Sequence, residues 1–153
     1  MKLRFLLLVS PLIIACFGAS PSFAGAPEQA KDFTDKYKTA FEAKDSATLE
    51  SFLYTKNADP EVLEFYKMMI AQGAGNKISK IELIELSPED ANKAEKTQDG
   101  PGGTKVHLPI KPTKKLKITV ETNDANGKSS STSESFIAEN DGKFVIPVPV
   151  AVK

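Results

Sequence analysis

Two turn dipeptides, Asn126-Gly127 and Asp141-Gly142, most narrow what this chain can fold into. A two-residue hairpin loop needs positive φ at its centre, and Asn-Gly and Asp-Gly reach it at least cost. They divide the end of the chain into antiparallel strands. Leu116, Ile118 and Val120 alternate with Lys115, Lys117 and Thr119, the pattern of a half-buried strand. Ser129 to Ile137 returns, and Phe144 to Val152 is the last strand. Pro147 and Pro149 remove two amide donors from one edge, so that strand cannot be paired on both sides beyond Ile146. If both loops hold two residues, Leu116 faces Ile137 and Ile137 faces Ile146. Ile118, Val120, Phe144 and Val148 then share that face, and so do Ser129, Ser131, Ser133 and Ser135. A loop with an odd number of residues would turn the serines to the other face.

Ahead of these strands the first half of the chain is helical in period. Ala30, Phe33, Tyr37, Ala40 and Phe41 recur at spacings of three and four, behind Pro27 in a first turn. Asp45 caps a short second helix carrying Leu49, Phe52 and Leu53. Asp59-Pro60-Glu61 opens a third, with a capping acid, a proline at the first position and an acid at the positive helix end. Its stripe is Val62, Phe65, Tyr66, Met69 and Ile70, and Gly73 ends it. Ile78 to Leu86 is the first strand. Its alternation slips, with Ile81 and Leu83 on one face and Ile84 and Leu86 on the other. Either both faces are buried there or a bulge shifts the phase. Ser87 to Gly103 has no apolar residue larger than Ala and reads as a long loop, mobile sooner than functional. Val106, Leu108 and Ile110 form a short edge segment containing Pro109 and ending before Pro112.

This order predicts an α+β fold: about three N-terminal helices packed on a curved antiparallel sheet of four to five strands. Three local textures accompany it. The first helix ends in Phe41-Glu42-Ala43-Lys44-Asp45, the third opens on Asp59-Pro60-Glu61, and Asn140-Asp141-Gly142-Lys143-Phe144 turns into the last strand. With the element order over residues 27 to 150, these resemble the nuclear transport factor 2-like, cystatin-like superfamily. The resemblance implies a single cone-like domain over residues 25 to 153, its sheet wrapped around a long helix to leave a cavity. It also implies a spread of roles: small isomerases and dehydratases, ligand-binding domains and protein-interaction modules. Such a fold does not choose among them.

The first 24 residues read as a secretory signal peptide. Lys2 and Arg4 form a cationic head, Phe5 to Ile14 an apolar run, and Ser22 and Ala24 the small residues of a cleavage site before Gly25. Ten helical residues span about 15 Å, half of a bilayer core of about 30 Å. No later apolar run approaches that length, so no transmembrane segment is expected. Ile13-Ile14-Ala15-Cys16 also resembles a lipobox, which would make Cys16 a lipid anchor. The expected location is therefore outside the cytoplasm, periplasmic or secreted, with a lipid-anchored protein of the bacterial envelope as the alternative. Cleavage after Ala24 removes Lys2 and Arg4 and leaves 18 basic and 20 acidic residues, a net charge of −2. That balance offers no long-range field to attract nucleic acid. Cleavage also removes the only cysteine, which excludes disulfides and thiolate metal sites in the mature part.

Candidate chemistry is sparse. His107 is the only histidine and the one candidate for acid–base catalysis, yet it alternates with Lys105 and Pro109 on a polar face. Asp45 and Asp59 could partner it, but each precedes an apolar-periodic run and reads as a helix cap. Glu82 and Glu85 fall on opposite faces of a regular strand. Tyr37, Tyr54 and Tyr66 read first as core aromatics whose hydroxyls reach solvent, and Met68 and Met69 as gap fillers. Lys111, Lys114, Lys115 and Lys117 read as the solvated edge of a strand. The serine series stands out. Small hydroxyl residues opposite Ile118 and Val120 would leave room for a ligand, with Tyr37, Tyr66, Ser133 and Ser135 as pocket candidates. Alternatively, the hairpin end projects past the helices, where nothing large needs burying. No phosphate loop, nucleophile elbow or metal-ligand spacing occurs, and no cofactor is expected. The expected function is a non-enzymatic module that binds a small molecule or an envelope protein, with a homodimer through the sheet as a further expectation. A small cavity enzyme of isomerase or dehydratase type, using His107, is the alternative.

Overall fold

The computed structural model describes residues 26–124 and 127–152. The leader, with Cys16 and the junction of Ala24 and Gly25, lies outside the described residues, as does Asn126 of the first turn. The architecture is α+β. Helices α1 (Ala26–Glu42) and α2 (Ser46–Ser51) come first, then a two-residue strand β1 (Leu53–Tyr54) and helix α3 (Pro60–Ala71). Strand β2 (Lys77–Glu85) and helix α4 (Pro88–Glu95) follow. The rest is strand: β3 (Gln98–Asp99), β4 (Lys105–His107), β5 (Lys114–Asp124), β6 (Gly127–Asn140), β7 (Lys143–Pro147) and β8 (Val150–Ala151).

The helix starts follow from their caps. Asp45 accepts from the Thr48 amide at 3.0 Å, and Asp59 from the Glu61 amide at 2.9 Å. One face of α1 carries Phe33, Tyr37 and Phe41 into the core. Phe33 meets Phe52 edge-on at 5.1 Å and Phe144 at 5.9 Å, and Tyr37 stacks along Phe41 at 6.3 Å. On α3 the predicted stripe is only half used. Val62 and Ile70 are buried, but Phe65 and Met68 are 42% and 64% exposed, so Met68 fills no gap.

The main sheet runs β1-β7-β6-β5-β2. Its four longer strands are antiparallel neighbours, as expected, but the sheet as a whole is mixed: β1 joins β7 in parallel, Leu53 beside Ile146. The chain enters β1 straight from α2, so it arrives alongside the last long strand instead of turning back on it. A bulge does interrupt β2, but at Ser79, between Ile78 and Lys80 and ahead of the expected slip; from Lys80 to Glu85 the pairing is regular, and Ile84, opposite Lys115, is half-buried on the outer face. The bulge puts Ile78 opposite Val120, Ile81 opposite Ile118 and Leu83 opposite Leu116, all on the inner face. Glu42 of α1 ties the start of this strand down, accepting from the Ile78 amide at 3.0 Å.

Three further expectations change. The last strand is two: the chain leaves the main sheet after Pro147, and β8 joins a second sheet of order β3-β4-β8. The prolines stand where the chain changes partners. The polar segment from Ser87 to Gly103 holds α4, capped by Ser87, whose hydroxyl accepts from the Asp90 amide at 3.1 Å. The lysine run is not on an edge, because β5 is an inner strand of the sheet. Its charges are matched. Lys111 pairs with Glu95 and Lys114 with Glu85. Lys115 pairs with Asp90 at 2.9 Å and Glu134 at 2.5 Å, and Lys117 with Glu134 at 3.3 Å. Lys115 therefore ties α4 to the outer face of the sheet.

Candidate functional site

The inner face of the sheet changes character across one strand spacing. Leu116, Ile118 and Val120 of β5 stand opposite Ser135, Ser133 and Ser131 of β6. A loop at the Asn-Gly dipeptide would pair Leu116 with Ile137. The register lies two residues from that, and the serines stay on the inner face. Branched side chains fill the space above β5, and serines leave it open above β6. Helix α1 closes one side of that space with Tyr37 and Phe41, and α3 another with Tyr66, Met69 and Ile70. The result is a cleft of about 440 Å³. Tyr37, Tyr66, Ser133 and Ser135 all line it. Gln72 and Asn76, just beyond α3, add amide groups to its rim. No periodic pattern marks them, because they lie past the end of the helix.

The cleft is uncharged on its inner face. Burial pushes the Tyr37 hydroxyl up to about 12 and raises that of Tyr66 as well. Both stay neutral at physiological pH and act as hydrogen-bonding hydroxyls. Glu134 borders the cleft, but its carboxylate bonds to Lys115 and Lys117 and is held below the usual carboxylate range by them. An apolar floor with hydroxyl and amide groups at its rim can hold a neutral ligand in one orientation.

His107 is elsewhere. It is exposed on β4, opposite Val150 of β8, and borders a neighbouring groove of about 260 Å³ that shares Tyr66 and Ser135 with the cleft. The carboxylates considered as its partners are engaged in other ways. Asp45 is held low first by the Thr48 hydroxyl and Asp59 caps α3, so both do the capping that their positions predict. Glu82 pairs with Lys80 at 2.9 Å. Tyr54 lies on β1 and is not among the cleft residues. Among the described residues, no group of three or more His, Cys, Asp or Glu side chains is placed to hold a metal ion. No described helix is long and apolar enough to cross a membrane. No protein-family model, curated protein or solved structure matches the chain.

Proposed function

We propose that this chain is an exported binding domain that performs no catalysis, and that its cleft takes a small ligand with an apolar body and one or two hydrogen-bonding groups. The observation that carries this reading is the inner face itself, with Ile118 and Val120 beside Ser133 and Ser131 beneath Tyr37 and Tyr66. A charged ligand would be stripped of water there without a partner, which costs several kcal/mol or more, so a neutral one is favoured. The volume, about 440 Å³, suits a ligand of metabolite size. The nuclear transport factor 2-like reading belongs to the same proposal and rests on helices that precede a sheet around a cleft. Export rests on the layout of residues 1 to 24.

The test is a screen of neutral amphipathic compounds by thermal shift, followed by titration of any hit against Ser133→Phe. Ser133 is exposed, so the variant folds, and its ring occupies the cleft. Binding falls at least about tenfold if the cleft is the site, the loss of roughly 1.4 kcal/mol. Unchanged affinity in the variant refutes the proposal. Mass spectrometry of the mature N-terminus tests the location: a chain starting at Gly25 floats free, and a lipid-modified Cys16 tethers it.

A further inference from the structure

Strand β6 is partnered on one side along most of its length and on the other hardly at all. It pairs with β5 from Gly127 to Ile137, but with β7 only from Ala138 to Asn140. The pairing of β6 with β7 stops at Val145, although β7 runs on to Pro147 beside β1. The amides of Ile146 and Val148 bond to the carbonyls of Phe52 and Tyr54, and β8 goes to the second sheet. This leaves Lys128 to Phe136 as an open strand edge, and Lys128 to Glu134 are exposed. Nine residues at about 3.4 Å each make an edge of roughly 30 Å. It has no proline, and the strand bulge lies elsewhere. The other two edges of the sheet are protected: β1 is two residues long, and β2 carries the Ser79 bulge with Lys77, Lys80 and Glu82.

We propose that this edge is a dimer interface, paired antiparallel with the same edge of a second copy about a two-fold axis at Ser131. The register follows from symmetry and charge. Opposed residues in an antiparallel pair point to the same face, so the two-fold must fall on a residue. With the axis at Ser131, Ser129 meets Ser133, Ser130 meets Thr132, and Lys128 meets Glu134. An axis at Ser130 or Thr132 puts Lys128 opposite Thr132 or Phe136 and loses both charge pairs. Glu134 keeps acceptor capacity for a third cation, because a carboxylate has about four lone-pair sites. The central side chains are small, so the backbones approach freely and the hydroxyls can bond across the seam. The cleft rim at Ser131 and Ser133 then opens beside the two-fold axis.

The test uses the chain's thiol economy. Cys16 is its only cysteine and lies in the leader, so the exported chain from Gly25 onward is a background free of thiols. Opposed residues lie about 4.5 to 5.5 Å apart at Cα, within disulfide reach. Ser131→Cys in that background should crosslink to a covalent dimer under mild oxidation. Ser129→Cys and Ser133→Cys should each crosslink slowly alone and fast when mixed. Sedimentation should show a reversible dimer, weakened about tenfold by Lys128→Glu, since two pairs turn from attraction to repulsion. Circular dichroism of Lys128→Glu confirms that the fold is kept. A monomer at every concentration overturns the proposal. So does a dimer in which Ser131→Cys crosslinks no faster than Ser129→Cys alone.

Discussion

Replacing Tyr37 with phenylalanine should alter stability at alkaline pH far more than at neutral pH. Tyr37 is 3% exposed, and burial raises its hydroxyl from 10.0 to about 12. Its hydroxyl keeps an opening to the cleft, since no buried side-chain polar atom among the described residues is left without a partner. Removing it at pH 7 should therefore change stability by no more than about 1 kcal/mol. Above pH 10 the two proteins part. The unfolded chain releases the phenolic proton near pH 10, and the folded chain holds it to about 12. The folded state then binds more protons, so stability falls as pH rises through this window. A tenfold difference in proton affinity between the two states corresponds to about 1.36 kcal/mol, and with both groups half-titrated at the ends of the window the wild type loses about 2 kcal/mol between pH 10 and 12 that Tyr37→Phe keeps. Urea unfolding of both proteins at pH 7, 9, 10.5 and 11.5 measures it, with absorbance at 295 nm following the phenolate. Every other titrating group is common to both proteins and cancels in the difference. Parallel stability curves from pH 7 to 11.5 would refute the argument, because they would mean that the Tyr37 phenolate is as well solvated folded as unfolded.

Four more outcomes are expected. Ile137→Ala empties a fully buried site and should cost about 2 to 5 kcal/mol by urea unfolding. Lys115→Met removes the ion pair that ties α4 to β5, so hydrogen exchange across residues 88 to 95 should speed up while the core amides keep their protection. In the wild type the same helix should loosen in acid. Asp90 is held low first by Ser87 and then by Lys115, so its contribution is present above the ordinary carboxylate range and is lost as pH falls through its lowered value. Deleting Ser79 removes only the extra residue of the bulge and leaves Ile78 opposite Val120 and Lys80 opposite Thr119 in unbroken alternation, so the burial of Ile78 should be kept and the melting temperature should stay close to that of the wild type.

What could be read from the sequence was local or depended only on parity. The caps of α2 and α3 need one acid and the amides two or three residues ahead, and all of that lies in one short window. The α1 stripe needs only spacing. Helix α4 had its local signal too, a serine, a proline and two acids in a row, but its polar body masked it. What holds that helix is Lys115, 25 residues beyond Asp90 and on another element. Strand β1 offered nothing, since two residues show no period and its parallel place beside β7 is set by tertiary packing.

The serine face shows why a shifted register still located the cleft. Asp124 pairs with Gly127, so the hairpin closes one residue earlier than the Asn-Gly dipeptide suggests. Moving a two-residue loop by one position changes every cross-strand pair by two. Side chains alternate with a period of two, so each serine keeps its face and only its partner changes. A three-residue loop would have sent Ser131 and Ser133 outward among the lysines and left Thr132 and Glu134 over the tyrosines. The face that lines the cleft thus depends on the evenness of one loop. Inserting a single residue between Asp124 and Gly127 should lower ligand affinity and stability together, because a strand shifted by one residue turns Ile137 out of the core along with the serines.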